Sequence, residues 1–343
     1  MSIREGDAVP SLSGAYGGRR ILVLGGLGFI GGAIARRAVD AGAEVHVVDA
    51  LLPGSGGDVR SLWDLRREVE IEIADARHIE AYRDALEAAE VIFVATGGVG
   101  HRESLDRPFA DFGATCAGLV SVLRECERNG FAPRIVLAGT RQVYGTTPEP
   151  PVSEDHPLAP ADVNAVWSLS AEEMLFLYGR ISGVEGVALR LTNVYGPGMP
   201  TGETRARDLV GVFFSEALEG GVLTVFGDGS LVRDFTYIDD VVEAFLLAGV
   251  APDVTGEVWN VGGGARSTVK DLAAALTARC SATVEYRPLP PEYDRIAVGD
   301  YWTDHAAFTE ATGWRPRIGL QDGVERTLAS FQSASMMEGE STR

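Results

Sequence analysis

The sequence predicts an α/β fold: a doubly wound parallel sheet with a smaller mixed α/β lobe after it. Three observations predict it. Short apolar runs alternate with helix-length stretches up to about Thr192. A glycine-rich turn joins the first apolar run to the first long helical stretch. Beyond about Gly196 the alternation gives way to loops, shorter runs and prolines.

The runs ILVLG (21–25), EVHVVDA (44–50), VEIEIAD (69–75), VIFVAT (91–96), RIVLAGT (134–140) and GVALRLT (186–192) read as strands. Helix-length segments lie between most of them, among them 31–41 and 109–128. Strands that alternate with helices form a parallel sheet covered on both faces. Such sheets place function in the loops at the C-terminal ends of their strands. Past Gly196 a helix is expected near 208–219 and a strand at LTVFG. A further helix is expected near 268–279 and a strand near 283–287. This divides the chain into a leader (1–18), a first domain (19–195), a second lobe partly interleaved with it (196–332) and a flexible tail (333–343).

The first strand and helix carry a specific signal. In ILVLGGLGFIGGAIARRAVDAGAEVHVVDA, Gly25, Gly28 and Gly31 form a GxxGxxG pattern between strand and helix. Gly25 makes the tight turn, Gly28 clears the approach of a pyrophosphate, and Gly31 lets the helix pack on the sheet. The helix N-terminus offers N–H groups and the positive end of its dipole to phosphates. Asp49 ends the second strand, where a carboxylate binds a ribose 2′-OH and repels a 2′-phosphate. The first domain is therefore Rossmann-type, and NAD is favoured over NADP. Asp75, after the third strand, suits an adenine-edge contact or a helix N-cap. Phe29, Ile30, Ala76 and Ala95 complete the expected cofactor wall.

Composition narrows the function. The net charge of −19 argues against a broad nucleic-acid surface. No apolar run reaches the roughly 18 residues of a membrane span, and residues 1–18 lack the apolar core of a signal peptide. Cys116, Cys126 and Cys280 are an odd set without a CxxC pair, which fits a reducing cytoplasm and predicts neither disulfides nor a metal site. Lys270 is the only lysine.

The segments LGGLGFIGG, ADAR, VYG, LRLTNVYGPG, DGSLVRDFTYIDDVVEAF, WNVGGG and TGWRP occur in this order. Together they resemble the extended short-chain dehydrogenase/reductase family, and in particular its nucleotide-sugar epimerases and dehydratases. The likeness runs from about residue 19 to about residue 330. It implies a nucleoside-diphosphate sugar as substrate, NAD as cofactor and a homodimer. By resemblance, Asn193 and Arg233 contact the diphosphate and Arg295 is a second arginine of that kind. Thr140 takes the place of the serine or threonine that hydrogen-bonds the reacting sugar oxygen.

The family's catalytic pair is Tyr-x-x-x-Lys on one helix face, which exchanges a hydroxyl proton during hydride transfer. Here Asn164 stands at the tyrosine position and Ser168 at the lysine position. Thr115 stands where the family usually has an asparagine beside the cofactor. Asn164 is no general base near neutral pH, and Ser168 carries no charge. Three readings follow. The protein is an enzyme on a nucleotide sugar, epimerisation favoured, with another proton carrier from Tyr144, His101, Glu103 and Thr140. Or it eliminates or epimerises without net redox, using His101, Glu103 and His156 while NAD plays a structural part. Or it binds NAD or a nucleotide sugar without turnover, as a sensor or an inactive partner subunit.

Overall fold

A computed structural model describes residues 12–97, 101–147, 149–202, 208–289 and 299–341, without the side chains of 13, 101–103 and 334–341. The six expected strands are present as β1 (Arg20–Leu24), β2 (Glu44–Asp49), β3 (Val69–Ile73), β4 (Val91–Val94), β5 (Arg134–Thr140) and β6 (Glu185–Leu191). The later strands are β7 (Asn193–Tyr195), β8 (Val222–Phe226), β9 (Val232–Arg233), β10 (Phe235–Tyr237), β11 (Val258–Val261), β12 (Ser267–Thr268) and β13 (Thr283–Arg287).

The central sheet has seven strands in the order β11-β6-β5-β4-β1-β2-β3. Every pairing in it is parallel. The winding direction reverses between β1 and β4, which opens a crevice at their C-terminal ends. Side chains alternate across the sheet as the strand period of two requires. Ile21 and Val23 enter the core on one face, and Leu22 and Leu24 enter the core on the other.

The helices in chain order are α1 (Leu12–Tyr16), α2 (Phe29–Asp40), α3 (Arg83–Ala88), α4 (His101–Asp106), α5 (Pro108–Phe112), α6 (Gly118–Asn129) and α7 (Val163–Ser182). They continue with α8 (Leu209–Glu219), α9 (Ile238–Val250), α10 (Val269–Thr277), α11 (Ala306–Thr312) and α12 (Leu320–Ser341). α2 buries Gly31, Gly32, Ile34, Ala35 and Ala38, a small-residue face that packs closely on the sheet and on α9. α6 and α7 cover the opposite face. The stretch expected as one helix over 109–128 is α5 and α6 joined by a π-helical turn at Gly113–Ala117. Such turns recur beside functional sites.

Chain beyond residue 196 contributes to both regions. β11 extends the central sheet and α9 packs on it. The remainder forms a mixed lobe, with β8 parallel to β13 and β9 antiparallel to β12. Two expected boundaries shift. Part of the 1–18 segment is ordered: Tyr16 is 0% exposed and its hydroxyl donates to the Leu246 carbonyl at 2.7 Å. A buried ring tied to α9 fixes that segment. At the other end α12 continues to Ser341, so residue 333 lies inside a helix.

Candidate functional site

The crevice opens into a cavity of about 1680 Å³ that runs from the β1–α2 turn to the C-terminal lobe. At its first end the wall is mostly main chain. Gly25 has φ +78°, and a Cβ there would lie 2.6 Å from the Ala95 carbonyl oxygen, so the turn needs glycine. A Cβ on Gly31 would collide with the Gly25 carbonyl, so Gly31 serves packing and does not line the cavity. Gly25, Gly28, Phe29, Ile30, Asp49, Asp75, Ala76 and Ala95 line it.

Asp49 is held before any ligand arrives. Its carboxylate accepts from the Leu27 N–H at 3.0 Å and from the Leu51 N–H at 2.9 Å, and it is only 9% exposed. A carboxylate fixed in this way keeps lone pairs for a ribose diol. Asp75 does not work alone. Arg77 donates to it at 2.6 and 2.9 Å, and the guanidinium holds its carboxyl below the usual range.

At the other end, Asn193 and Arg233 line the cavity. Their strands, β7 and β9, rise beside the end of β6. The Asn193 side-chain amide donates one N–H to the Asp234 carbonyl at 2.7 Å, which leaves the second for a ligand. Arg233 donates to the Val232 and Gly299 carbonyls at 3.0 and 2.8 Å. Burial, helped by the nearby Arg141, pushes its pKa down to about 10. Apolar residues of α8 and β8, among them Val212, Phe213 and Val222, close this end. Arg295 lies outside the described residues.

Between these ends lies the C-terminal tip of β5, the expected reaction zone. Thr140 lines it, and its hydroxyl oxygen accepts from the Gln142 N–H at 3.2 Å. The two replaced positions face elsewhere. Asp162 caps α7 by accepting from the Ala165 N–H at 2.8 Å, which sets Asn164 in the first turn. The Asn164 amide donates to Asp111 of α5 at 3.0 Å. Thr115 of the π-helical turn donates to the same carboxylate oxygen at 3.0 Å. Asp111 is fully buried. Ser168, one turn along α7, is buried and does not line the cavity.

Several expected roles are thereby corrected. Thr115 lies off the cavity, because the π-helical turn directs its hydroxyl to Asp111. Tyr144 is not a cavity acid. It is 1% exposed, accepts from Arg190 at 2.9 Å and donates to Asn260 at 2.8 Å. Arg190 in turn pairs with Glu172 of α7 at 2.7 Å, and both are buried. This network ties α7, β6 and β11 together. His156 sits in a loop against Ser153 and the Glu149 carbonyl, away from the cavity. His101 and Glu103 begin α4, and their side chains lie outside the described residues.

Two residues were missed by motif reading, Asp111 and Arg141. Arg141 lines the cavity although nine-tenths buried. A charged residue directly after an apolar strand, as in VLAGTR, was the available signal.

The profile of the NAD dependent epimerase/dehydratase family matches residues 21–262. The chain belongs to that family. It is 31% identical to the UDP-glucose 4-epimerase of Mycolicibacterium smegmatis, over 92% of this chain and 99% of that protein. Among solved structures it resembles UDP-glucose 4-epimerase of Thermotoga maritima with UDP-glucose, at 29% identity and TM-score 0.82 over 92% and 99% of the two chains. It also resembles the Thermus thermophilus UDP-glucose 4-epimerase complex with NAD, at 29% identity and TM-score 0.79 over the same shares. NAD is the cofactor, and the residues present fit it: the Gly25 turn, Gly28 without a side chain on the cavity wall and the fixed Asp49 carboxylate. No helix among the described residues is long and apolar enough to cross a membrane.

Proposed function

We propose that the protein is an NAD-dependent enzyme acting on a nucleoside-diphosphate sugar, with epimerisation favoured and a non-standard proton relay. One observation carries the reading. A single cavity joins Gly25, Gly28 and Asp49 to Asn193 and Arg233, with the end of β5 between them. A nucleotide sugar anchored by its diphosphate at Arg233 would lay its sugar against the nicotinamide end of NAD. NAD supplies hydride acceptance and return when bound. The chain's own groups must orient the carbinol and move its proton.

Thr140 is placed to hydrogen-bond that carbinol and pass its proton on. A threonine hydroxyl is too weak a base to keep the proton. His101 and Glu103 are the proposed acceptors beyond it. Asp49 selects NAD over NADP. We further propose a homodimer in the cytoplasm. α7 exposes Val166, Leu177 and Ile181 on one side, an apolar stripe that suits helix packing between copies.

A second reading has its own support. The Asn164 amide is committed to Asp111 and Ser168 is buried off the cavity, and neither group is a proton carrier near neutral pH. A binder without turnover would have this arrangement. The NAD-loaded protein incubated with a panel of nucleotide sugars in deuterated water separates the cases. Transient NADH absorbance is the expected result. Deuterium uptake without reduced cofactor would show chemistry without net redox. Binding with neither signal would sink the enzyme reading for that panel.

A further inference from the structure

We propose that Arg141 anchors a carboxylate on the sugar, so that the cavity is built for a nucleoside-diphosphate hexuronate rather than a neutral hexose. This rests on the nucleotide-sugar reading and names the substrate class within it.

Arg141 opens the turn after β5, directly beside Thr140. It lines the cavity yet is only 6% exposed. Its guanidinium carbon lies 4.6 Å from the centre of the Tyr301 ring. Stacking on an aromatic ring occupies one face of the guanidinium and leaves the in-plane N–H groups for an acceptor. No such acceptor reaches Nη1, which is buried without a hydrogen bond among the described residues. Asp234 and Asp162 attract the group from a distance but give Nη1 no bond. A buried cationic donor left unpaired is costly to fold. A ligand oxyanion is the natural supply of the missing acceptor.

The position separates this anion from the diphosphate. Asn193 and Arg233 belong to β7 and β9, at the nucleotide end of the cavity. Arg141 follows β5, between the cofactor strand β4 and the strand β6. A sugar linked to a diphosphate at Arg233 reaches this point with its far side. The Arg141 charge also helps to lower the pKa of Arg233. One diphosphate answers Arg233, and a second anionic group answers Arg141. A carboxylate matches the planar guanidinium edge through two parallel hydrogen bonds.

The test is calorimetric titration of the NAD-loaded protein with UDP, UDP-glucose and UDP-glucuronate, repeated on Arg141→Gln and Arg141→Lys. UDP-glucuronate should bind about tenfold or more tightly than UDP-glucose. Arg141→Gln should erase that preference and leave UDP and UDP-glucose within about twofold. Arg141→Lys, which keeps charge without the fork, should keep part of the preference. Unchanged NAD content shows that the variants fold. Equal weakening of all three ligands by Arg141→Gln would assign Arg141 to the diphosphate and overturn the proposal. So would the absence of any preference in the native protein while UDP binds. If none of the three ligands binds, the nucleotide-sugar reading falls for them and takes the carboxylate with it.

Discussion

The cofactor end of the cavity and its reaction zone are built differently. At the cofactor end the critical groups are main-chain atoms: the Gly25 turn, the N-terminus of α2 and the two N–H groups that fix Asp49. In the reaction zone they are side chains at the tip of β5, Thr140 and Arg141. Main-chain geometry is set by packing, since Gly31 must let α2 sit on the sheet for the fold to close. Side chains at the tip of a strand or along a helix can change without moving the element that carries them. Asn164 and Ser168 show this, since α7 keeps its Asp162 cap and its place on the sheet with the usual pair absent. A cofactor site and its chemistry are therefore separable.

The largest effect should come from the scaffold beneath the reaction zone. Glu172→Leu leaves Arg190 buried without its partner, and should cost about 3–5 kcal/mol in urea unfolding. A loss under about 1 kcal/mol would show that the network does not hold this wall. Next, Gly31→Ala drives a methyl into the Gly25 carbonyl. NAD affinity should fall by about tenfold to a hundredfold by fluorescence titration, a strain of roughly 1–3 kcal/mol. Unchanged affinity would mean that the cofactor wall tolerates change as readily as the reaction zone.

Asp49→Asn removes the charge that repels a 2′-phosphate and keeps an acceptor for a backbone N–H. NAD should weaken about tenfold and NADP should gain. Equal or tighter NADP binding by the native protein would remove the selective role of Asp49. The smallest effect is expected for Thr115→Val, which deletes one hydrogen bond to Asp111. Stability should drop by about 1 kcal/mol with NAD affinity unchanged. A clear loss of NAD binding would return Thr115 to the cofactor wall.

The cofactor site was legible in the chain because its signal is local. Gly25, Gly28, Gly31 and Asp49 lie on one strand-helix-strand unit, and their spacing encodes their placement. The reaction zone was legible as a loss: Asn164 and Ser168 could be located by order along the chain. What those residues do instead was not. Asn164 meets Asp111 across the contact of α5 with α7, where Phe112 and Trp167 also pack at 4.9 Å between ring centres. Tyr144 has the sequence position of a site residue and the surroundings of a core residue.

The sequence by itself determined the parallel sheet, the six strands of the first domain and the NAD-binding turn. Apolar periodicity and glycine spacing act over a few residues and need no distant partner. Only the tertiary structure decided that Tyr144 is sealed against Arg190 and Asn260, that Thr115 and Asn164 share Asp111, and that Arg141 stands buried on the cavity wall. Burial and pairing of a polar side chain depend on what folds against it. For most of these residues the partners lie far along the chain: Asn260 is distant from Tyr144, and Tyr301 is farther still from Arg141.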